Sequence, residues 1–226
     1  IRHAAGGAPF KLITSTGGPD PYDVMGFQEC DDPVLVMKQT NLLDQYFAIK
    51  SSRSLCMAFR KQNWVLLAHG EATMAEDTHA QYFGKRNAQW MRLRHIGSGK
   101  TLFFANHHGP LPLDTGGVCG GLTTASRLLQ LVATKGQRGD AIIVLGDFNA
   151  RRASPTIRSM ERRLHRHYTG TVDGGIDHVF SNVRNTSVIS VANLGPGGSH
   201  HDALSVTLEL GSVPSRASPA SAPSLL

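Results

Sequence analysis

The sequence predicts an α+β fold with largely antiparallel sheets. Two pairs of short apolar segments are each separated by turn-forming residues, which is the pattern of an antiparallel hairpin. The first pair is 54–59 with 64–68, around Lys61-Gln62-Asn63, and the second is 91–95 with 101–105, around Gly97-Ser98-Gly99. Long helical patterns are few, which argues against a strictly alternating, doubly wound sheet.

The remaining elements follow from local signals along the chain. Residues 23–27 form a predicted strand, and Asp32-Pro33 is a cap followed by proline that opens a helix to about Leu43. The glycine-rich stretch 116–121 lacks the spacing of a phosphate-binding loop, so we expect a flexible turn there. A helix over 123–134 follows it, and further strands are predicted at 141–145, 176–180, 188–191 and 203–208.

The composition fits one domain. The chain has 226 residues, of which 40% are hydrophobic and 18% charged, and this is enough for one substantial core. We expect the domain to span residues 1–210 and the Ser/Pro/Ala-rich residues 211–226 to form a flexible tail. Residues 1–7 contain neither an initiator methionine nor an apolar signal core, which suggests a processed or truncated chain.

Charge and cysteine content narrow the function classes. The formal net charge of +6 favours an anionic partner. No apolar run reaches the length of about 18 residues that a membrane span needs, so none is predicted. Cys30, Cys56 and Cys119 give neither a zinc-ligand spacing nor a disulfide framework, and we expect packing thiols with at most one bridged pair.

The most informative polar residues follow the apolar run 141–145. This run predicts a strand buried on both faces, so Asp147 and Asn149 would lie at its carboxyl end, where such strands usually present chemistry. Period-two geometry puts these two side chains on one side and Phe148 on the other. A carboxylate beside a carboxamide can hold a water, a hydroxyl or a hard cation, although an ordinary turn at a strand end is the alternative.

Acids, amides or histidines stand at or beside apolar strands in five places. These are Gln28-Glu29, residues 106–108, Asp147 with Asn149, Asp177, and residues 200–202. Each has an ordinary explanation, such as a helix cap, a polar loop or a surface ion pair of Asp177 with Arg184. Five such placements in one small domain predict instead that they converge on one site.

A basic block follows the Asp147–Asn149 pair. Between Arg151 and Tyr168 the only acid is Glu161. The block contains Arg151, Arg152, Arg158, Arg162, Arg163 and Arg166, with His165 and His167 between them. It predicts contact with a polyanion near the site, or a solvated helix face.

Taken in order, these pieces resemble the endonuclease/exonuclease/phosphatase superfamily, which has the deoxyribonuclease I-like fold. The resemblance covers roughly residues 23–210. The matched segments are Phe27-Gln28-Glu29 with the family's Gln-Glu motif, Asn106-His107-His108 with Thr-His, Gly146-Asp147-Phe148-Asn149 with Gly-Asp-x-Asn, Ile176-Asp177-His178 with Ile-Asp, and Ser199-His200-His201 with Ser-Asp-His. The resemblance implies a four-layer α/β/β/α sandwich of two mixed, largely antiparallel sheets, with the site at one edge.

The resemblance also implies a role for each matched residue. Glu29 would bind a divalent cation, usually Mg²⁺, while Asp147 and Asn149 would orient the attacking water and the phosphate. His201 would be the catalytic histidine, held by Asp177 through its other ring nitrogen. His108 would donate a hydrogen bond to a phosphate oxygen.

Two positions depart from the family pattern. His200 stands where the family has an aspartate, so a metal ligand here would be an imidazole, which suits Mn²⁺ or zinc better than Mg²⁺. Asp202 could supply the carboxylate instead, although it lies on the other side of His201 in sequence. The asparagine of the family's first strand has no counterpart before Asp23, which either truncation or loss of activity would explain.

These features favour a divalent-metal-dependent phosphoesterase that hydrolyses a phosphodiester, with nucleic acid as the favoured substrate and a monomeric chain. A catalytically impaired member of the fold that binds anions or nucleic acid is one alternative, and a lipid or inositol-phosphate phosphoesterase is another. A third is a zinc hydrolase of another fold, built on residues 107–108 and 200–201. Adjacent histidines on an extended chain point to opposite faces, which weakens that reading.

Overall fold

Short strands and a few helices make up the part of the chain that the structure describes. The computed structural model describes residue 13, residues 22–79 and residues 84–210. From residue 22 onward the described α-helices are α1 (Pro33–Gln39), α2 (Gly121–Lys135) and α3 (Pro155–Glu161). The strands are β1 (Val24–Gln28), β2 (Tyr46–Lys50), β3 (Leu55–Arg60), β4 (Trp64–Glu76), β5 (Lys85–His95), β6 (Thr101–His108), β7 (Ala141–Asp147), β8 (His165–Thr169), β9 (Asp177–Ser181), β10 (Val188–Asn193) and β11 (Leu204–Leu208). The predicted tail at 211–226 and residues 1–7 lie outside the described residues.

The strands form three sheets in the described ranges. The large sheet has six strands in the order β4-β5-β6-β7-β9-β8, and only its β6–β7 pair is parallel. The small sheet has the order β1-β3-β2 and is antiparallel throughout, as is the β10–β11 ribbon. The predicted α+β class with largely antiparallel sheets is therefore confirmed.

One predicted hairpin is confirmed and the other is wrong. β5 and β6 pair across the Gly97–Gly99 turn, with Arg94 opposite Thr101. The segments at 54–59 and 64–68 do not pair, because β3 is the central strand of the small sheet and has β1 on one side and β2 on the other. β4 pairs with β5 instead, so residues 61–63 carry the chain from the small sheet to the large one.

Three buried clusters hold four layers together, in the order α1, small sheet, large sheet, then α2 with α3. The first cluster, between α1 and the small sheet, includes Val36, Met37, Cys56 and Ala58. The second, between the two sheets, includes Met57, Phe59, Leu93 and Phe104. The third, between the large sheet and α2 with α3, includes Phe103, Leu128, Val144 and Met160. The small and the large sheet thus pack against each other on one face and against helices on the other. This is the predicted α/β/β/α sandwich.

The helix α1 begins where the sequence predicts and ends earlier. The Asp32 carboxylate accepts a hydrogen bond from the Leu35 N–H at 2.9 Å, and Pro33 occupies the first turn. Asn41 then adopts a left-handed backbone with φ of 58°, which is a common way for a helix to stop. The predicted end at Leu43 is therefore too late.

The glycine-rich stretch before α2 is a packed turn rather than a flexible one. The Val118 N–H donates to the Glu76 carbonyl at 2.8 Å, and the Thr124 hydroxyl donates to the Gly116 carbonyl at 2.8 Å. A Cβ on Gly117 would lie 2.1 Å from the Glu76 oxygen. Close backbone approach therefore accounts for glycine at this position.

One cysteine pair is bridged. Cys30, directly after Glu29, forms a disulfide with Cys56 of β3, while Cys119 is free. The bridge anchors the chain after β1 to the centre of the small sheet.

No helix in the described ranges is both long and apolar enough to cross a lipid bilayer.

A fully buried amide joins the two sheets. Asn106 of β6 donates through Nδ2 to the Phe27 carbonyl at 2.9 Å and to the Cys56 carbonyl at 3.1 Å. Its Oδ1 accepts from the Gln28 side chain at 2.5 Å. Asn106 therefore sets the end of β1, and with it Glu29, against the carboxyl end of β6.

Candidate active site

Three of the predicted site residues are neighbours across adjacent strands of the large sheet. His108 of β6 is the register partner of Asp147 of β7, and Asp147 is the register partner of Asp177 of β9. β6 and β7 are parallel and so end at the same edge, while the antiparallel β9 begins there. The sheet topology thus brings residues distant in sequence to one place, as the convergence of the motifs predicts.

His201 completes this cluster from the loop between β10 and β11. Its Nδ1 lies 3.0 and 3.1 Å from the two carboxylate oxygens of Asp177, and its Nε2 lies 3.8 Å from Oδ2 of Asp147. The hydrogen bond to Asp177 raises the pKa of His201 to about 9, with smaller contributions from the charges of Asp147 and Glu29 and with burial opposing. The ring is therefore an imidazolium at neutral pH, with its Nε2–H directed toward Asp147.

Asp147 is a buried carboxyl whose environment disfavours its charge. Asp147 is 6% exposed, and burial together with the charge of Asp177 raises the pKa of Asp147 to about 7. The Asn149 N–H, His201 and Arg86 act in the opposite direction. Ligand atoms of Asp147, Asp177 and His201 all lie within 4.8 Å of one another, and because a protonated His201 has no free lone pair, the two carboxylates are the groups of this set that can bind a cation at neutral pH.

Asn149 folds back onto Asp147 instead of continuing the strand. Its backbone is left-handed with φ of 47°, and its N–H donates to Asp147 Oδ1 at 2.7 Å. Its side-chain Nδ2 donates to the Gly109 carbonyl at 2.9 Å. Phe148 enters the core and Asp147 stays at the site, but β7 ends at Asp147, so a left-handed turn and not the predicted period-two strand geometry places Asn149.

Arg86 is a site residue that the sequence analysis did not single out. Its Nη1 lies 3.2 Å from His108 Nε2, and its Nε lies 2.9 Å from Asp77 Oδ1 in a pair with side-chain exposures of 6% and 0%. It belongs to no motif, and a charged residue at the start of a strand is ordinary. The available signal was strand register: Ala88 pairs with His107, so a residue two positions earlier lies just beyond the end of β6.

The contact with Arg86 determines the state of His108. Because a guanidinium only donates, His108 Nε2 must accept, so the ring is neutral and carries its hydrogen on Nδ1. Burial and the charge of Arg86 lower the pKa of His108 to about 3. His108 Nε2 also lies 3.5 Å from Asp147 Oδ2, so one imidazole connects Arg86 to the carboxylate cluster.

The sequence matches the model of the Endonuclease/Exonuclease/phosphatase family over residues 8–212. The chain belongs to this family. Its members hydrolyse phosphoesters, and the match covers every residue of the cluster just described. No curated protein sequence gives a significant match.

Solved structures of family members share the fold. A family protein from Bacteroides thetaiotaomicron superposes with a TM-score of 0.70 at 16% identity, covering 91% of this chain and 90% of that one. The mannosyl-6-phosphatase Bt3783 of the same species gives 0.67 at 16% identity, covering 92% and 93%. TDP2 of D. rerio, complexed with a single-strand DNA product, gives 0.64 at 16% identity, covering 91% of each chain.

The two predicted metal ligands of this family member lie at the rim of the cluster. Glu29 follows β1 with a left-handed φ of 53°, is exposed, and lies near enough to raise the pKa of His201. His200 is exposed, and the group of ligand atoms within 4.8 Å contains its neighbour His201 rather than His200. Asp202, the alternative ligand, accepts hydrogen bonds from Thr171 and Asn193 at 3.0 and 2.7 Å.

The first histidine of the 107–108 pair is structural. His107 is fully buried, its Nδ1 lies 3.0 Å from the Asn87 carbonyl, and its ring packs edge-on against Phe148. Burial lowers the pKa of His107 to about 4, so it stays neutral. His107 and His108 therefore point to opposite sides of β6, and the paired-histidine zinc site is not formed here.

Proposed function

We propose that this family member is a divalent-metal-dependent phosphodiesterase that favours nucleic acid as its substrate and acts as a monomer. The observation that carries the proposal is the position of His201 between Asp177 and Asp147, at 3.0 and 3.8 Å, with the buried Arg86 reaching Asp147 through His108. Family membership supplies phosphoester hydrolysis in general. The finer activity rests on this arrangement of an oriented imidazolium, a carboxylate and a guanidinium.

The donor atoms at the site fit a hard divalent cation. Asp177, Asp147 and Glu29 all raise the pKa of His201, so three carboxylates act on one imidazole. Such a concentration of carboxylate oxygens suits Mg²⁺ or Mn²⁺. Glu29 would hold the cation at the rim, with His200 as the second predicted ligand. When bound, the cation neutralises charge on the phosphate and lowers the pKa of a bound water.

Side chains of the site would position the attacking water and the phosphate. Asp147 accepts a hydrogen bond from the attacking water, and Asn149 holds the turn that fixes this carboxylate. His201 and Arg86 donate hydrogen bonds to the phosphate oxygens, so the charge that develops in the transition state is stabilised. Asp177 keeps the ring of His201 oriented. His108 would donate through Nδ1–H, because its Nε2 accepts from Arg86.

Hydrolysis of bis(p-nitrophenyl) phosphate with Mg²⁺ or Mn²⁺ tests the metal-dependent activity. Asp147→Ala and His201→Ala are each expected to lower kcat at least about 10³-fold, because each removes a group that acts on the reacting atoms. EDTA should abolish turnover. Asp44→Ala and His165→Ala, both at exposed positions, are matched controls that should keep the wild-type rate. Equal rates in the wild type and both site variants would rule out this site.

The preference for nucleic acid rests on the basic block. Arg152, Arg158, Arg162 and Arg163 are exposed on and around α3. Arg151 forms an ion pair with Asp114 at 2.9 Å, and Arg166 forms one with Glu161 at 2.8 Å. These two arginines therefore fix local structure. The exposed four form a cationic surface that follows Asn149 in the chain.

Replacing Arg162 and Arg163 together by glutamine tests this preference. The slope of log affinity against log salt concentration for single-stranded DNA or RNA should fall in magnitude by about 1.4, which is about 0.7 for each lost phosphate contact. Hydrolysis of bis(p-nitrophenyl) phosphate should not change, since that substrate is too small to reach α3. An unchanged salt slope would remove nucleic acid as the favoured substrate while leaving phosphodiester hydrolysis intact.

A further inference from the structure

The turn between β9 and β10 carries the sequence Asn185-Thr186-Ser187, which is the acceptor pattern for N-linked glycosylation. Asn185 is the only asparagine of the chain that has a serine or threonine two positions later. These three residues form a short 3-10 helix with Arg184 as its cap. The acceptor pattern therefore lies in a turn between two strands, where a modified side chain can stay outside the core.

Backbone hydrogen bonds hold this turn, and the Asn185 amide is accessible. The Ser187 N–H donates to the Arg184 carbonyl at 2.9 Å, and the Glu209 N–H donates to the Ser187 carbonyl at 2.8 Å. Asn185 is exposed. Burial lowers the pKa of His167, and a side-chain hydrogen bond with Asn185 opposes this effect. Because the backbone holds the turn, the amide can carry a substituent while the turn keeps its shape.

The position of Asn185 keeps a substituent away from the candidate active site. β9 begins at Asp177, which belongs to that site, and ends at Ser181. Each step along a strand rises by about 3.3 Å, so these two ends lie about 13 Å apart. Asn185 follows the far end, and access to the near end stays open.

An exposed apolar strand follows the turn directly. Ile189 and Val191 of β10 are 67% and 43% exposed, and alternation along the strand puts both on one face. Among the described strands β10 pairs on one side only, with β11, so its other edge is open. An open edge with β-branched residues favours pairing with another chain unless something covers it. A bulky, hydrophilic group on Asn185, just before this strand, would cover the edge.

A buried disulfide fits a compartment in which N-glycosylation occurs. Cys30 and Cys56 are bridged, and they are 2% and 0% exposed. Disulfides form and persist in oxidising compartments such as the lumen of the endoplasmic reticulum, and they are rare in the cytosol. N-linked glycans are transferred in the same lumen. The bridge and the acceptor pattern, which come from separate parts of the chain, thus indicate one route through the cell.

We propose that Asn185 is N-glycosylated and that its glycan covers the open edge of β10. Nδ2 of Asn185 loses a proton and bonds to the anomeric carbon of N-acetylglucosamine in an oligosaccharide carried on a lipid pyrophosphate. The bond from that carbon to the pyrophosphate oxygen breaks, and the lipid pyrophosphate leaves. An oligosaccharyltransferase recognises the hydroxyl of Ser187 for this step. The inference does not depend on the proposed function.

Peptide mapping of the full chain purified from its native source tests the modification. Peptide N-glycosidase releases an N-linked glycan and converts the asparagine to aspartate, which mass spectrometry detects. Position 185 should be aspartate only after this treatment, and an unreduced digest should contain Cys30 joined to Cys56. An unmodified Asn185 overturns the inference, whether or not the bridge is present.

Expression of the full chain behind a signal peptide in mammalian cells tests the acceptor pattern. The secreted wild type should lose apparent mass on treatment with peptide N-glycosidase. Asn185→Gln and Ser187→Ala should abolish this shift, whereas Ser187→Thr should keep it because the hydroxyl is retained. Ser190→Ala, at an exposed position of β10, is the matched control and should also keep the shift. A wild type without the shift, or a shift that survives Asn185→Gln, overturns the inference.

Aggregation tests whether the glycan covers β10. Removal of the glycan from the folded wild type should cause a loss of soluble protein, measured by light scattering and by the protein left after centrifugation. Replacing Ile189 and Val191 together by threonine keeps the β-branched shape but makes the face polar, so this loss should disappear. A wild type that stays soluble without its glycan, or an equal loss in both proteins, contradicts the covering of this edge.

Discussion

Asp177→Asn will lower kcat for phosphodiester hydrolysis by about 10³–10⁴-fold, the size seen when an orienting carboxylate of a catalytic histidine becomes an amide. Both Asp177 oxygens accept from His201 Nδ1, and an amide would present N–H groups to the same ring nitrogen. The ring would then take the other tautomer or turn away, and the Nε2–H directed at the phosphate would be lost. Steady-state kinetics measure the loss, and thermal unfolding checks that the isosteric variant is folded.

The combination of Asp177→Asn with His201→Ala shows how Asp177 acts. If its effect passes through the imidazole, the double variant will be as slow as His201→Ala alone, because residues that act as a unit are not additive. Asp177 also belongs to the group of ligand atoms within 4.8 Å. If the losses in kcat of the two single variants multiply in the double variant, Asp177 does not act through His201 and is instead a separate cation ligand.

Phe148→Ala will lower the free energy of unfolding by about 3–5 kcal/mol, the usual cost of removing a buried phenyl ring. Phe148 is 1% exposed, and its ring contacts His107, His178 and Phe180 with centroid distances of 5.3, 5.5 and 5.4 Å. The cavity left behind would lie directly beneath the turn that joins Asp147 to Asn149. Urea denaturation monitored by circular dichroism measures the change.

Phe47→Ala is the matched control for this loss. Phe47 is 47% exposed on β2 and keeps only one described aromatic neighbour, Phe59, at 5.5 Å. Its removal should cost about 1 kcal/mol or less, since little area is buried and no closed cavity forms. Similar losses for the two variants would mean that Phe148 does not hold the core in the way described.

The parts of the site that could be predicted were those that depend on strand ends. The apolar run before Asp147 predicts a strand, and a strand end predicts exposed polar chemistry, so Asp147, Asn149 and Asp177 were found from local pattern. Which strand pairs with which is a non-local property, and residues 61–63 look like a hairpin turn although they join two sheets. Local spacing does not distinguish these two connections, because both need the same polar turn residues.

Arg86 was missed for a related reason. Its place at the site depends on the register of β5 on β6 and on a buried partner, Asp77, nine positions earlier in the chain. In the sequence it is one arginine among many in a basic chain.

The hydrogen bonds of the Asn106 amide link formation of the site to the folding of the protein. Glu29 and Cys30 directly follow a strand of the small sheet, whereas Asp147, Asp177 and His108 belong to the large one. Asn106 sets their relative position through hydrogen bonds to Phe27 and Cys56. A chain that has formed all its strands but has not docked the two sheets would have no complete active site. If the proposed function holds, activity requires the assembled sandwich, and the appearance of activity during refolding would report when the two sheets dock.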